Sequence, residues 1–126
     1  MALILIVEDH PDLQQIYSIA AKDAGHKILL AKDGTEALKQ AAENTPDLIL
    51  LDILMPKVNG AEFLESYDLK KHPQTKVIVF SNMDSPVLEH QMADLGVNLY
   101  LVKAEYTPKE LMGIIDGALK STPPAA

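Results

Sequence analysis

Residues 48–56 read Leu-Ile-Leu-Leu-Asp-Ile-Leu-Met-Pro, a short apolar run that ends in one aspartate. The run shows no polar alternation, which is typical of a strand buried on both faces of a parallel sheet. Similar apolar runs occupy residues 3–7, 28–31, 77–80 and 99–102. Segments long enough for helices separate these runs. The sequence therefore predicts an α/β fold with helices on both faces of a five-stranded sheet.

Capping residues indicate where the helices begin. Thr107 is followed by Pro108 and then by Glu110, which makes a capping box with proline at the first helical position. Three further residues with capping side chains precede helix-compatible segments: Asp33, Asn59 and Ser85. These signals indicate that strands and helices alternate along the chain.

Length and composition are those of one globular domain. The chain has 126 residues, of which 48% are hydrophobic and 23% are charged. We predict one domain over residues 1–120, and a flexible tail or the start of a linker over the proline-rich residues 121–126. Cysteine is absent, which excludes thiol nucleophiles and thiolate metal sites. The lack of a disulfide framework favours a cytoplasmic location.

The charge balance excludes some partners. Acidic residues outnumber basic ones by 18 to 11, giving a formal net charge of −7. A net-negative surface repels phosphate backbones, so we expect no direct nucleic-acid binding by this domain. No apolar run approaches the roughly 18 residues that a membrane-spanning helix requires, so no membrane contact is expected.

Polar side chains follow four of the five apolar runs. Glu8 and Asp9 follow the first run, Asp52 the third, Ser81 the fourth and Lys103 the fifth. In a parallel sheet these strand ends share one edge, and ligands bind there at the point where the strand order reverses. For a strand order of 2-1-3-4-5 this point lies between strands 1 and 3. The three carboxylates are therefore expected to converge.

Three carboxylates at one place repel one another, and a divalent cation is the natural compensation. Oxygen ligands without cysteine or clustered histidine favour Mg²⁺ or Mn²⁺ over zinc. Lys103 adds a positive charge and Ser81 adds a hydroxyl donor. This set of groups suits the binding or transfer of a phosphoryl group, in which positioning and charge neutralisation dominate.

Each of these residues also has a purely structural interpretation. Asp9 is placed to cap a helix that begins near Pro11, Ser81 to satisfy loop backbone, and Lys103 to lie on the surface. The histidines lack metal-ligand spacing and are interpreted as surface residues: His10, His26, His72 and His90. Four strand ends with complementary chemistry favour a functional site over these separate interpretations.

Four motifs together resemble the receiver domain of two-component response regulators, which is CheY-like. They read VEDHPDL, LILLDILMPKVNG, VIVFSNMD and YLVKAEYTPKEL, and the resemblance extends over about residues 3–119. It implies a flavodoxin-like (βα)5 fold with a parallel sheet of order 2-1-3-4-5. It also implies a phosphorylation-controlled signalling switch of a phosphorelay that turns over no outside substrate and is therefore not a metabolic enzyme.

The resemblance implies roles for the acidic residues. Asp52 matches the phosphoacceptor, which takes a phosphoryl group from a sensor histidine kinase or a phosphotransfer protein. Glu8, Asp9 and Asp52 match the carboxylates that hold Mg²⁺ or Mn²⁺, and the backbone carbonyl of Leu54 matches a further metal ligand. Met55, Pro56 and Gly60 match the loop that follows the phosphoacceptor.

The resemblance also implies a switch. Ser81 matches the hydroxyl that contacts the phosphoryl group, Lys103 matches the lysine that pairs with it, and Tyr100 matches the switch aromatic. In the family the change is transmitted to the face of the fourth helix, fifth strand and fifth helix, here about residues 86–119. The partners implied are a kinase and an unknown downstream target or output domain, and pairing of two copies in a homodimer is left open. A strand-edge Tyr100 half-buried for packing is the structural alternative.

The chain departs from the common family pattern at three positions. Glu8 stands where aspartate is frequent, and Asn82 follows Ser81 where a very small residue is common. Ala104 follows Lys103 where proline, often with a cis bond, is usual. A cis bond before alanine costs about 3 kcal/mol, so we expect either a trans bond or local strain.

Three other functions share part of this pattern. A pseudo-receiver scaffold keeps the fold without the chemistry, but the acidic, hydroxyl and lysine residues are all present. An aspartyl-phosphate hydrolase needs a DxDxT motif near the first strand, which this sequence lacks. A flavodoxin-like electron carrier needs a hydroxyl-rich phosphate loop, whereas the loop after the first strand is acidic.

Overall fold

The computed structural model describes residues 2–53 and 59–120. The five strands are β1 (Leu3–Val7), β2 (Lys27–Ala31), β3 (Leu48–Leu51), β4 (Lys76–Ser81) and β5 (Leu99–Val102). The five helices are α1 (Pro11–Asp23), α2 (Gly34–Asn44), α3 (Gly60–Tyr67), α4 (Pro86–Asp94) and α5 (Pro108–Lys120). Short 3₁₀ turns cover Leu69–Lys71 and Lys103–Glu105. The roles expected for Leu54, Met55 and Pro56, and the tail expected at residues 121–126, lie outside the described residues.

The strands form one parallel sheet in the order β2-β1-β3-β4-β5, as predicted. The register pairs Val7 with both Ala31 and Leu51, and it pairs Leu51 with Val79. The carboxyl ends of β1, β2 and β3 are therefore level. The strand order reverses between β1 and β3, which places Glu8 and Asp52 on either side of the reversal point.

Both faces of the sheet are buried, which explains why the strand sequences do not alternate in polarity. On one face, alternate strand residues such as Leu5 and Ile49 pack with Phe63 of α3. On the other face, the intervening residues such as Ile4 and Leu50 pack with the helices α1 and α5. Shifting a strand by one residue would exchange the two cores, so this pattern fixes the register.

The predicted helix caps are confirmed. Asn59 accepts the Glu62 N–H at 3.0 Å while the Glu62 carboxylate accepts the Asn59 N–H, which completes a capping box. Asp33, Ser85 and Thr107 each accept a backbone N–H three residues on. Within the described residues, no helix combines the length and apolar character needed to cross a membrane.

The interpretation of all four histidines as surface residues is wrong for two of them. The His26 side chain is only 9% exposed, because it lies between the start of β1 and helix α5. Its Nδ1 accepts the Ala2 N–H at 3.2 Å, and its Nε2 lies 2.8 Å from the Asp116 carboxylate. His72 stacks on the Tyr67 ring with centroids 4.0 Å apart. Local sequence carries no signal for these contacts, since both depend on partners in other elements.

Candidate functional site

Backbone hydrogen bonds fix the two central carboxylates at the edge of the sheet. The Glu8 N–H donates to the Ala31 carbonyl at 3.0 Å, and the Asp52 N–H donates to the Val7 carbonyl at 3.1 Å. Each bond continues the parallel ladder one residue beyond a strand, so both side chains leave the sheet in a defined direction. Glu8 is 2% exposed and Asp52 is 7% exposed.

Lys103 joins these two carboxylates. Its ammonium lies 2.5 Å from Oε1 of Glu8 and 3.2 Å from Oδ2 of Asp52, and its side chain is only 9% exposed. The surface interpretation of Lys103 is therefore wrong. The lysine opens a 3₁₀ turn directly after β5, and its peptide bond to Ala104 is trans. Of the two expectations for the position before Ala104, a trans bond or a strained cis bond, the structure has the trans bond.

Opposite charges keep this buried cluster ionised. Burial alone would raise the pKa of Glu8, but the hydrogen bond and charge of Lys103, with hydrogen bonds from His10, lower that pKa below its usual value. Burial alone would lower the pKa of Lys103, but the carboxylates of Glu8 and Asp52 raise that pKa above its usual value. At neutral pH the site therefore contains the Lys103 ammonium beside the Glu8 carboxylate.

Asp9 and His10 extend the cluster beside Glu8. The His10 Nδ1 lies 3.3 Å from Oε2 of Glu8 and 3.2 Å from Oδ1 of Asp9. The hydrogen bond to Glu8 and the charge of Asp9 raise the pKa of the exposed His10 ring. His10 itself is the N-cap residue of α1, so the interpretation of Asp9 as a helix cap is wrong.

The donor set fits a divalent cation. Ligand atoms of Glu8, Asp9 and His10 all lie within 4.8 Å of one another. Oδ1 of Asp9 is buried and, although the His10 Nδ1 lies 3.2 Å away, it accepts no hydrogen bond with acceptable geometry among the residues that the structure describes. A buried carboxylate oxygen without a donor is costly unless a cation or water completes it. Carboxylate oxygens are also the ligands that Mg²⁺ and Mn²⁺ favour.

A second set of contacts joins Ser81 and Tyr100 through the backbone of one residue, Met83. Ser81 is fully buried at the end of β4, and its Oγ accepts the Met83 N–H at 3.2 Å. The Tyr100 hydroxyl donates to the Met83 carbonyl at 2.5 Å. Burial, followed by the charges of Asp84, Glu89 and Asp52, raises the pKa of Tyr100. The hydroxyl of Ser81 and the ring of Tyr100 thus position the same backbone segment.

Two features of the site were not found from the sequence. Tyr17 of α1 lines a small pocket beneath the carboxylates together with Glu8, Asp52 and Phe80. Burial raises the pKa of the Tyr17 phenol, and its ring packs edge-on against Phe80 at 5.4 Å. His10 was interpreted from the sequence only as a surface residue and was not included in the cluster. Its position two residues after Glu8 was the available signal.

Gly60 brings the start of α3 against the backbone that follows Asp52. A Cβ at this position would lie 2.8 Å from the Ile53 Cα and 3.1 Å from the Asp52 carbonyl oxygen. The Gly60 N–H donates to the Ile53 carbonyl at 3.1 Å. A residue without a side chain is therefore needed for this close approach, which fixes the backbone on the far side of Asp52.

Comparison with known families gives a match over most of the chain. A family model described as the response regulator receiver domain matches residues 4–116. A gliding motility regulatory protein of Myxococcus xanthus is 36% identical over 116 residues, which cover 90% of this chain and 15% of that protein. An uncharacterized transcriptional regulatory protein, YkoG, of Bacillus subtilis is 33% identical over 93% of this chain and 50% of its own length. The chain thus spans at most about half of these relatives.

Solved structures give the same match. Chemotaxis protein CheY4 of Vibrio cholerae superposes with a TM-score of 0.85 at 29% identity, covering 93% of this chain and 98% of that one. A DNA-binding response regulator of the LuxR family from Staphylococcus aureus superposes with a TM-score of 0.86 at 30% identity, covering 95% and 100%. Both the topology and the length of the domain are therefore shared.

Proposed function

This chain belongs to the response regulator receiver domain family of two-component systems, and we propose that it is a switch that accepts a phosphoryl group on Asp52. The single observation that carries the proposal is the contact of Lys103 with both Asp52 and Glu8. It joins the ends of β1, β3 and β5 into one buried charged cluster at the reversal point of the sheet. A scaffold without chemistry has no need of such a cluster.

The transfer step uses Asp52 as the nucleophile. One of its carboxylate oxygens attacks the phosphorus of a phosphohistidine on a sensor kinase or a phosphotransfer protein. A P–O bond forms as the P–N bond breaks, and the leaving imidazole nitrogen takes the electron pair. Lys103 supplies positive charge beside the oxygens that gain charge, and its fixed position costs no reorganisation during the reaction.

A divalent cation completes the charge balance. We propose that Glu8, Asp9 and Asp52, with the backbone carbonyl of Leu54, hold Mg²⁺ or Mn²⁺. The ion, when bound, neutralises charge on the phosphoryl oxygens. The buried Oδ1 of Asp9, which has no hydrogen-bond partner among the described residues, supports this assignment.

The switch follows from contacts that only the phosphorylated state can make. A phosphoryl group on Asp52 adds charge and strong acceptor oxygens, for which Lys103 and the Ser81 hydroxyl are the nearby donors. When the Ser81 Oγ turns to the phosphoryl group it gives up the Met83 N–H, which loosens the backbone of Met83, whose carbonyl Tyr100 also contacts. Differential contacts of this kind shift a two-state equilibrium.

The output is a change in binding. We propose that the face of α4, β5 and α5 contacts a downstream target, an output domain or a second copy of the chain. The relatives are longer than this chain, and several carry names of transcriptional regulators. The domain catalyses its own phosphorylation and is not a metabolic enzyme. We assign the receiver unit to residues 1–120, which includes the whole family match.

The mass of the intact protein tests this proposal. The chain is incubated with Mg²⁺ and a small acyl phosphate, alone and with chelator. We expect a gain of one phosphoryl group that requires Mg²⁺ and is lost in Asp52→Asn. The matched control is Asp84→Asn, which removes an exposed carboxylate from the loop after β4 and should still gain the group. Equal gain in Asp52→Asn would contradict the assignment of the acceptor.

A further inference from the structure

His10 places a nitrogen donor beside the two carboxylates assigned to the metal. Its Nδ1 lies 3.3 Å from the Glu8 Oε2 and 3.2 Å from the Asp9 Oδ1. The His10 side chain is 67% exposed, so the ring can turn toward an ion without breaking any packing. Its position is nevertheless restricted, because the next residue is Pro11, at the start of α1.

The separations are those expected of ligands on one ion. Two ligand atoms on neighbouring corners of an octahedron, each about 2.1 Å from the metal, lie about 3.0 Å apart. The two distances from the His10 Nδ1 are slightly longer than this, so small side-chain rotations would bring all three atoms onto one ion. The Oδ1 of Asp9 that faces His10 is also the buried oxygen without a hydrogen-bond partner among the described residues.

We propose that His10 is a further protein ligand of the metal site, beside Glu8 and Asp9, and makes the site prefer transition-metal dications such as Co²⁺ and Zn²⁺ over Mg²⁺. This inference rests on the proposed function, which assigns a divalent cation to Glu8 and Asp9. An imidazole nitrogen binds later first-row metals more strongly than it binds Mg²⁺, whereas carboxylate oxygens suit Mg²⁺. Two carboxylates with one imidazole therefore shift the preference without excluding Mg²⁺ in excess.

The competing arrangement is an ion pair, in which a protonated His10 occupies the place of the cation. The two arrangements predict opposite effects of removing the ring. If His10 is a ligand, His10→Gln weakens Co²⁺ binding and changes Mg²⁺ binding little. If His10 is a cationic competitor, His10→Gln strengthens the binding of both ions, because a positive charge leaves the site.

The test is calorimetric titration of the full chain, without an affinity tag, with Co²⁺ and with Mg²⁺ at about pH 8, above the ordinary imidazole pKa of about 6.5, where a proton competes less for His10. Loss of an outer-shell partner already costs about 10–100-fold in metal affinity, so His10→Gln should weaken Co²⁺ binding at least about tenfold. The control His90→Gln removes an exposed histidine of α4 and should bind both ions like the parent. Proton NMR of the Co²⁺ form should show one exchangeable, strongly shifted imidazole N–H that is absent from His10→Gln.

Two other outcomes separate this inference from the proposed function. If Co²⁺ and Mg²⁺ bind to the parent and weaken in Asp9→Asn, but His10→Gln binds Co²⁺ as tightly as the parent and no shifted N–H appears, ligation by His10 is overturned and the metal site stands. If neither ion binds, or if Asp9→Asn binds both like the parent, the assigned metal site fails and the role of His10 fails with it.

Discussion

The ammonium of Lys103 donates to Oε1 of Glu8 at 2.5 Å, although the two residues are 95 positions apart in the chain. The same ammonium reaches Asp52, so one side chain connects the end of the last strand to the ends of the two central strands. The charges of Lys103 and Glu8 compensate one another, and removing the ammonium leaves the buried carboxylate of Glu8 without this partner.

We therefore expect Lys103→Met to lower the free energy of unfolding by about 3 kcal/mol at neutral pH, because breaking a buried ion pair leaves uncompensated charge. Urea denaturation followed by circular dichroism measures this loss. The control Lys109→Met removes an exposed lysine of α5 and should change stability little. A loss as small as that of the control would show that Glu8 and Asp52 are compensated without Lys103.

The same ion pair sets the pH dependence of stability. The pKa of Glu8 is lower in the folded protein than its ordinary 4.5, so its contribution is complete above 4.5 and is lost as the pH falls through the folded value. The pKa of Lys103 is raised above 10.5, so its contribution is complete below 10.5 and is lost as the pH rises through the folded value. The difference in stability between the parent and Lys103→Met should therefore shrink at acid pH. A difference that stays constant down to about pH 3 would contradict this.

Gly60→Ala should destabilise the protein and displace Asp52. The added Cβ would lie 2.8 Å from the Cα of Ile53. This is a backbone atom, which cannot move aside as the end of a flexible side chain can, and overpacking of this kind costs about 1–3 kcal/mol. Gly113→Ala is the matched control, because nothing lies within 4 Å of its Cβ position in α5. Alanine in a helix should stabilise by about 0.5–1 kcal/mol. Thermal melts should show a lower melting temperature for Gly60→Ala and a higher one for Gly113→Ala. Equal changes in melting temperature would contradict the prediction.

Tyr100→Phe should release the loop after β4. The variant loses the hydrogen bond to the Met83 carbonyl, which is expected to cost about 1 kcal/mol and to speed amide exchange in this loop. Hydrogen exchange followed by mass spectrometry compares peptides that contain Met83. Tyr106→Phe removes a half-buried phenol from the loop before α5 and serves as the control. Unchanged exchange in Tyr100→Phe would mean that the loop is held by other contacts.

Asn82→Ala should shorten the lifetime of the phosphorylated state. Asn82 is exposed and directly follows Ser81, at a position where the family commonly has a very small residue, so we expect its side chain to restrict the approach of water to Asp52. A smaller side chain opens this approach, and we expect phosphoryl loss several-fold faster than in the parent. Intact mass recorded over time after removal of the donor gives the rate. Equal lifetimes would refute a role for Asn82.

His26→Leu tests the contacts of His26 with the start of β1 and with helix α5, at the opposite end of the strands from Asp52. The imidazole accepts the Ala2 N–H and contacts Asp116 of α5, so its loss leaves two polar groups without a partner and should cost about 1–3 kcal/mol. His90→Leu removes an exposed histidine and should be nearly neutral. Phosphorylation by an acyl phosphate should continue in His26→Leu, since the residue lies far along the sheet from Asp52. A stability equal to that of His90→Leu would show that the contacts of His26 do not stabilise the fold.

Local sequence was sufficient for the elements of the fold. The continuous apolar run at residues 48–51 indicates a strand because β3 is buried on both faces. The helix caps at Asn59 and Thr107 could be predicted because each joins residues only three positions apart. The positions of the residues that follow each strand could also be predicted, because all parallel strands end at one edge. The family was recognised from four short motifs, and the match over residues 4–116 confirms it.

Only the tertiary structure decided which of these side chains touch. Lys103 was equally compatible with the surface, and His26 was assigned there, because the burial of both side chains depends on partners distant in the chain. The sequence by itself determined the strands, the caps and the edge at which polar groups gather, since these depend on local periodicity and chain direction. Distances within the cluster arise from the register of the strands and the packing of helices on them, so they exist only once the whole sheet is formed.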